Sequence, residues 1–273
     1  MITFPNAKIN LGLNIVSRRP DGYHNIETVF YPIPLTDSLE IVPAEGSEST
    51  LTCYGRVVDC PTEKNLVMKA YRMMEKEFGL PPVDIYLVKH IPDGAGLGGG
   101  SSDASFCMQM LNDMFKLGCT AEWLAKMASK IGADCPFFIH NKPMMATGIG
   151  DEFTPTDVCL KGKHLLLVKP DVSVPTKAAY AQVTPAPSAK PIPEILSDGM
   201  ENWQKELVND FEKSVFAQYP SLAEIKRTLL NSGASYAAMS GSGSSIFGIF
   251  SCAEMAEKAA DNFKEYSHFV IQL

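Results

Sequence analysis

Five glycines and two serines crowd one stretch of this chain, Pro92-Asp93-Gly94-Ala95-Gly96-Leu97-Gly98-Gly99-Gly100-Ser101-Ser102-Asp103-Ala104. Glycine reaches positive φ and lets a ligand approach the bare backbone. Upstream, Val83-Asp84-Ile85-Tyr86-Leu87-Val88 is an alternating apolar and β-branched run, which predicts a strand. Downstream, Ala104, Met108, Leu111 and Phe115 fall at helical spacing, and Gly118 stands where a C′ glycine would. The glycines therefore lie in a turn that opens a helix. The free N–H groups of a helix start and the positive end of its dipole favour an anion. Ser101 and Ser102 add hydroxyl donors or a cap. The chemistry implied is a phosphate cradle. A flexible linker has no reason to place these residues between a strand and an amphipathic helix.

Two common phosphate patterns fit poorly. The G-x-x-x-x-G-K-[ST] loop fails because Gly100 follows Gly99 where lysine is required. Gly94, Gly96 and Gly99 do match G-x-G-x-x-G. However, a second helical pattern, Thr120 to Lys130, follows the first helix. No acidic residue ends a second strand about 20 residues on, as a dinucleotide site requires. A protein-kinase glycine loop continues into a strand, whereas this one continues into a helix.

Other residues with chemical potential are scattered. Ile9, Leu11, Leu13 and Ile15 alternate with Lys8, Asn10, Gly12 and Asn14, so Lys8 and Asn10 share one side of a predicted strand. That side is either solvated or a pocket wall. Tyr23-His24 follows the turn Pro20-Asp21-Gly22 and is either a hairpin tip or an aromatic platform. Asp134 stands between Gly132-Ala133 and an apolar run, Phe137-Phe138-Ile139, predicted as a strand. It is a cap, a turn residue, or a carboxylate held in a dry pocket. Asn65 is suited to cap the helix predicted to Phe78. Asp103 reads as a first-turn carboxylate favoured by the helix dipole.

The elements that must position these residues follow a simple order. The first third is β-rich with one helix, the middle is helical around the glycine turn, and the last third mixes strands and helices. The expected class is α+β with two lobes, 1–155 and 156–273. A length of 273 residues accommodates that. The net charge of −7 argues against a sequence-independent nucleic-acid partner. Seven cysteines without a C-x-x-C pair suit a reducing cytosol. The start, Met1-Ile2-Thr3-Phe4-Pro5, lacks the basic and apolar regions of a signal peptide. No apolar run has the length of a membrane span. These features predict a cytoplasmic protein without membrane partners.

Three separated segments, Ala7-Lys8-Ile9-Asn10, the glycine turn, and Ser240-Gly241-Ser242-Gly243-Ser244, resemble the three motifs of the GHMP kinases, in order. The central motif of that family is Pro-x-Gly-x-Gly-Leu-Gly-(Gly/Ser)-Ser-Ser, and this chain carries one extra glycine before its serine pair. Asp21-Gly22-Tyr23-His24 and Gly132-Ala133-Asp134-x-Pro136-Phe137 narrow the resemblance. They point to the branch that acts on a cytidyl diphosphate derivative of methylerythritol, in the non-mevalonate isoprenoid pathway.

The resemblance implies a ribosomal-protein-like N-terminal lobe and a ferredoxin-like C-terminal lobe. It implies transfer of the ATP γ-phosphoryl to the 2-hydroxyl of a small-molecule acceptor. Pro92, Asp93, Gly94, Ala95, Gly96, Leu97, Gly98, Gly99, Gly100, Ser101 and Ser102 would hold the phosphates, with Mg²⁺ bridging them. Asn65 and Lys89 would lie near the adenine. Asp134 would accept or orient the hydroxyl proton, and Lys8 would hold Asp134 ionised and favour the developing alkoxide. Asn10 would bind substrate beside them. Tyr23 and His24, with Tyr180 opposite and Thr176 nearby, would hold the cytosine. Ser240 to Ser244 would shape the site. No protein metal cage is implied, and either a monomer or a homodimer is compatible. Homoserine or mevalonate kinases would keep the loop but have no reason for Tyr23-His24. A nicotinamide-dependent oxidoreductase rests on G-x-G-x-x-G alone. A nucleotide-binding module without catalysis would make Lys8 and Asp134 dispensable.

Overall fold

A computed structural model describes residues 1–57 and 60–273. It divides the chain into two compact units, each built from separate stretches. The first comprises Met1–Ala7, Leu35–Asp93 and Gly98–Lys142; the second comprises Lys8–Pro34, Gly94–Leu97 and Pro143–Leu273. These units do not coincide with a single cut near residue 155.

The first unit holds a four-stranded sheet in the order Ile2–Thr3, Ser38–Pro43, Val83–Lys89, Thr50–Gly55. Ser38–Pro43 runs antiparallel to both neighbours, while Thr50–Gly55 lies parallel to Val83–Lys89, with Leu51 opposite Ile85. Val83, Ile85 and Leu87 alternate onto the buried face of their strand, as the period of two predicts. Lys89 falls on the same phase and is buried with them. Helices Leu66–Phe78, Gly99–Met114, Ala121–Ala128 and Cys135–His140 complete a core of Ile85, Leu87, Tyr71, Met74, Met108, Leu111 and Ile139. Asn65 caps the first of these helices, accepting from the Val67 N–H at 2.9 Å. The run predicted as a strand after Asp134 is instead the short helix Cys135–His140. All of Cys135 to Ile139 is buried, so the run shows no periodicity, and Pro136 is preorganised for a first helical turn.

The second unit holds two four-stranded sheets. One has the order Asn6–Arg18, His24–Thr36, Met144–Thr147, Glu152–Pro155. The other, antiparallel throughout, has the order Tyr236–Met239, Ile246–Phe250, His164–Lys169, Ser267–Gln272. Leu165 to Val168 is buried on both faces, which explains its continuous apolar run. Leu13, Ile15, Leu166, Val168, Phe211, Val215, Ile225, Met239 and Phe250 share one core. The apolar spacing from Glu201 to Phe216 predicts a helical pattern, which the structure breaks into Met200–Glu206 and Phe211–Gln218. Between them the backbone is engaged by the Asn6–Arg18 strand. The Leu13 N–H donates to the Val208 carbonyl at 2.8 Å, and the Asp210 N–H to the Leu13 carbonyl at 2.8 Å. The Ile15 N–H donates to the Asp210 carboxylate at 2.7 Å. A continuous helix would withdraw these groups.

Candidate active site

In the second unit, the polar side of the Asn6–Arg18 strand is not solvated. Lys8 is 3% exposed and Asn10 2%. The Lys8 ammonium donates to Asn10 Oδ1 at 2.6 Å and to the Gly96 carbonyl at 3.0 Å, and lies 4.8 Å from the centre of the Phe30 ring. Asn10 Nδ2 donates to Thr28 Oγ1 at 2.9 Å, and the Thr28 hydroxyl donates onward to the Gly12 carbonyl. These bonds fix which end of the Asn10 amide faces Lys8. Ser240 Oγ reaches the same Gly96 carbonyl at 2.8 Å. The Lys8 N–H donates to the Leu97 carbonyl at 3.0 Å. Thus the crest of the glycine loop, Gly94 to Leu97, is held by Lys8 on one side and by Ser240 on the other. Gly96 has φ 74°, and a Cβ there would lie 1.9 Å from the Ser240 carbonyl oxygen. Only glycine fits that approach.

Asn209 holds the Ser240 turn in place. Its Nδ2 donates to the Met239 carbonyl at 2.8 Å and the Gly241 carbonyl at 2.9 Å, and its Oδ1 accepts from the Phe211 N–H at 3.0 Å. Sequence reasoning missed it, since a lone asparagine inside a predicted helix gives no signal. Its neighbour Asp210 grips the Lys8 strand through Ile15, as described above.

The aromatic residues also lie in the second unit. The rings of His24 and Tyr180 are stacked, 5.0 Å apart and inclined by 18°, and Tyr180 meets Phe211 edge-on at 4.8 Å. A base between His24 and Tyr180 needs about 7 Å, two layers of van der Waals contact. The pair as it stands leaves no room for a third ring between its members. Tyr23 is exposed at the preceding turn, whereas Tyr180 packs against the core of the second unit. Thr176 starts the helix Thr176–Ala181 that carries Tyr180, and its hydroxyl lies 3.1 Å from Ser242 Oγ.

In the first unit, Pro92 is buried and Asp93 exposed before the loop. Gly98, at φ 71°, precedes the helix Gly99–Met114, and the Ser102 N–H donates back to its carbonyl at 2.9 Å. Gly94, Gly96 and Gly98 all take positive φ, so the alternate glycines turn the chain into the helix start. Around Gly100 the nearest atom to an added Cβ is Leu66 Cδ1 at 3.7 Å, whereas at Gly99 Ile91 Cγ2 would lie at 2.9 Å. Asp134 directly precedes Cys135–His140, with αR backbone angles and no side-chain capping bond to that helix.

Asp103, read as a first-turn carboxylate favoured by the helix dipole, is buried and bonded to the Lys89 ammonium at 2.7 Å. Lys89 does not present its ammonium to solvent, because Asp37 and Asp103 hold it in the interior. Asp37 was invisible in the sequence, since nothing local links it to Lys89. Asn65 is engaged as a helix cap. Among the described residues there is no group of three or more His, Cys, Asp or Glu able to hold a metal ion. The same residues contain no helix long and apolar enough to cross a membrane.

A glycine loop at a helix start, a buried lysine at its crest and a serine-glycine turn against it define the GHMP kinase class. Accordingly, the family models for the GHMP kinases N terminal domain and the GHMP kinases C terminal match residues 65–142 and 189–268. The chain is an ATP-dependent small-molecule kinase.

More particular similarity comes from individual relatives. The 4-diphosphocytidyl-2-C-methyl-D-erythritol kinase of Bacteroides fragilis is 56% identical over 260 residues, covering 94% of this chain and 95% of the relative. That of Parabacteroides distasonis is 54% identical over 269 residues, covering 98% and 96%. A crystal structure of 4-(cytidine 5'-diphospho)-2C-methyl-D-erythritol kinase matches with a TM-score of 0.85 at 31% identity, covering 99% of this chain and 98% of that one. The chain belongs to the family of 4-diphosphocytidyl-2-C-methyl-D-erythritol kinases.

Proposed function

We infer that this chain transfers the γ-phosphoryl of ATP to the 2-hydroxyl of 4-diphosphocytidyl-2-C-methyl-D-erythritol, a step of the non-mevalonate isoprenoid pathway. The substrate reading rests on relatives of that name that match along nearly the whole chain. The observation that carries the chemistry is the buried Lys8 ammonium, 3.0 Å from the Gly96 carbonyl.

Phosphoryl transfer asks chiefly for positioning and charge stabilisation. In this reading Gly94 to Ser102 receive the phosphates through backbone N–H groups, and Pro92 and Asp93 shape the approach. A magnesium ion bound with the nucleotide would offset the charge of the phosphates, and no side chain of this chain is assigned to hold it. Lys8 supplies a cation that favours the charge developing on the acceptor oxygen. Asp134 accepts or orients the proton of the acceptor hydroxyl. A tertiary alcohol is a weak acid, so orientation alone is a sufficient task for that carboxylate. Asn10, its amide fixed by Thr28, presents a defined polar atom beside Lys8. Tyr23, His24 and Tyr180 supply stacking surface for cytosine, with Thr176 at the start of the Tyr180 helix. Asn65 stands at a helix start in the nucleotide-binding unit. The protein acts in the cytoplasm in this reading.

The test is ADP release with ATP and Mg²⁺, offered 4-diphosphocytidyl-methylerythritol, mevalonate, homoserine or galactose separately. Turnover is expected with the cytidyl acceptor alone. Lys8→Ala and Asp134→Ala are each expected to lower kcat at least about 100-fold, which is roughly 2.7 kcal/mol of transition-state stabilisation. Unchanged turnover in either variant would sink the assigned roles, and turnover confined to another acceptor would sink the substrate.

A further inference from the structure

Beneath the start of the Gly99–Met114 helix, inside the first unit, lies a buried charge cluster that phosphoryl transfer does not touch. Asp37 is 0% exposed, Asp103 2% and Lys89 4%. One carboxylate oxygen of Asp37 accepts from the N–H groups of His90 and Ile91 at 2.6 and 2.8 Å, the last two before Pro92. Its other oxygen accepts from the Lys89 ammonium. Lys89 donates onward to Asp103, one turn into the helix that follows the loop. The strand entering the glycine loop and the helix leaving it are therefore tied through one ammonium. That ammonium also lies near Gly99, the first residue of the helix. A Cβ on Gly99 would lie 3.3 Å from Lys89 Nζ and 2.9 Å from Ile91 Cγ2.

A cluster with a purely architectural task is expected to satisfy its oxygens, because buried unpaired polar atoms are expensive. This one leaves Asp103 Oδ1 buried without a partner, and the adjacent Ser102 Oγ likewise. Both residues belong to the opening turns of the Gly99–Met114 helix, the element that follows the glycine loop.

We propose that Asp37, Lys89 and Asp103 are positioning residues for the nucleotide: they lock the stem of the glycine loop and set the charge beneath the phosphates, which nucleotide binding shifts towards neutral by proton uptake. The proposal rests on the reading of the loop as the ATP site.

The charge count gives the sign. With both carboxylates ionised the cluster carries one net negative charge; with one protonated it is neutral. Burial pushes the Asp103 carboxyl up, Lys89 pulls it down and the Asp37 charge adds to the rise, leaving it at about 7. Burial acts against the Lys89 ammonium, but the carboxylates of Asp103 and Asp37 outweigh it, so Lys89 stays charged. Among the described residues, the remaining titratable groups facing Asp103 are the thiols of Cys107 on its own helix and Cys53 on the Thr50–Gly55 strand. Burial first, and then Asp103, raises both, so they stay neutral near pH 7. Asp103 is thus the group that changes charge near neutrality. Incoming phosphates disfavour its ionised form. Binding is then strongest below pH 7 and weakens as pH rises through 7.

Asp103→Asn keeps the shape and an acceptor for Lys89 while fixing the cluster in its neutral form. ADP binding in excess Mg²⁺ is titrated calorimetrically at pH 6 and pH 8 with wild type and Asp103→Asn. The titration of the nucleotide itself is common to both proteins and cancels in their ratio. The wild-type affinity is expected to fall about fivefold more than that of the variant, as follows if the nucleotide raises the Asp103 pKa by about one unit. Parallel pH dependences in the two proteins overturn the proposal, whatever the variant does to Tm. If Asp103→Asn fails to fold, the binding heat of wild type near pH 7, in two buffers of different ionisation enthalpy, reads proton uptake directly. Uptake supports the proposal and its absence overturns it. No ADP binding by wild type at either pH overturns the ATP-site reading itself.

Discussion

Two glycines of the same loop, both in the second unit and both at positive φ, separate two physical demands. At Gly94, φ is 57° and an added Cβ meets nothing within 4 Å. Alanine there meets only the left-handed backbone cost, about 1–2 kcal/mol. The stiffer unfolded chain returns about 0.4–1 kcal/mol of that. At Gly96 the same backbone cost applies, but the Cβ would lie 1.9 Å from the Ser240 carbonyl oxygen and 2.8 Å from its carbon. Both are backbone atoms and cannot rotate away, so the Ser240 turn must retreat. That carbonyl accepts the Gly243 N–H at 3.0 Å. The Gly96 carbonyl accepts from Ser240 Oγ at 2.8 Å and Lys8 Nζ at 3.0 Å. Loosening these three bonds adds about 1 kcal/mol each, for a total of roughly 4–5 kcal/mol. Urea unfolding of both variants gives the stabilities, and ADP release below the transition gives kcat. Gly94→Ala is expected to stay within about 1 kcal/mol of wild type and Gly96→Ala to lose several. In Gly96→Ala the bond from Lys8 to the loop is displaced as well, so kcat is expected to fall at least about 100-fold. Equal losses in the two variants would refute the argument that close approach, rather than φ, demands glycine at 96.

Tyr180→Ala removes a stacking face and is expected to raise KM for the cytidyl substrate by about 10-fold or more while leaving KM for ATP unchanged, since base stacking is worth about 1–3 kcal/mol. A parallel rise in both KM values would place Tyr180 outside the cytosine site. Asn65→Ala is expected to lose about 1 kcal/mol in urea unfolding through its missing helix cap, whereas Asn65→Asp keeps the cap. A rise in ATP KM that persists in Asn65→Asp would assign the Asn65 amide to the nucleotide; a normal KM would leave it a cap alone.

The glycine loop was legible because its constraint is local: a strand period, a run of glycines and a helix period adjoin in sequence. The resemblance of Ala7-Lys8-Ile9-Asn10 and Ser240 to Ser244 to known motifs singled out Lys8 and Ser240, which meet at the Gly96 carbonyl. Burial of Lys8 and Asn10 was not legible, because alternation with polar residues reads equally as a solvated face. Lys89 carried a usable signal, since it shares the phase of Val83, Ile85 and Leu87. Its partner Asp37 carried none, for tertiary pairing leaves no local trace. The helix after Asp134 was misread because complete burial erases the difference between the two periods. The break between Glu206 and Phe211 was missed for another reason. The backbone there is claimed by a strand nearly two hundred positions earlier, and tertiary hydrogen bonds override local propensity.

The interleaving of the two units has a consequence for synthesis on the ribosome. All residues of the first unit have emerged once Lys142 has, so its core can close early. The second unit begins at Lys8, yet one sheet is finished only when Ser267–Gln272 arrives beside His164–Lys169. Leu13 and Ile15, on the first long strand made, must therefore wait for Leu222, Met239 and Phe250 to cover them. During that interval the nascent chain carries an apolar strand without its final partners, the condition that invites mispairing and chaperone capture. The strand bearing Lys8 is among the first parts translated, yet its surroundings are among the last to be completed.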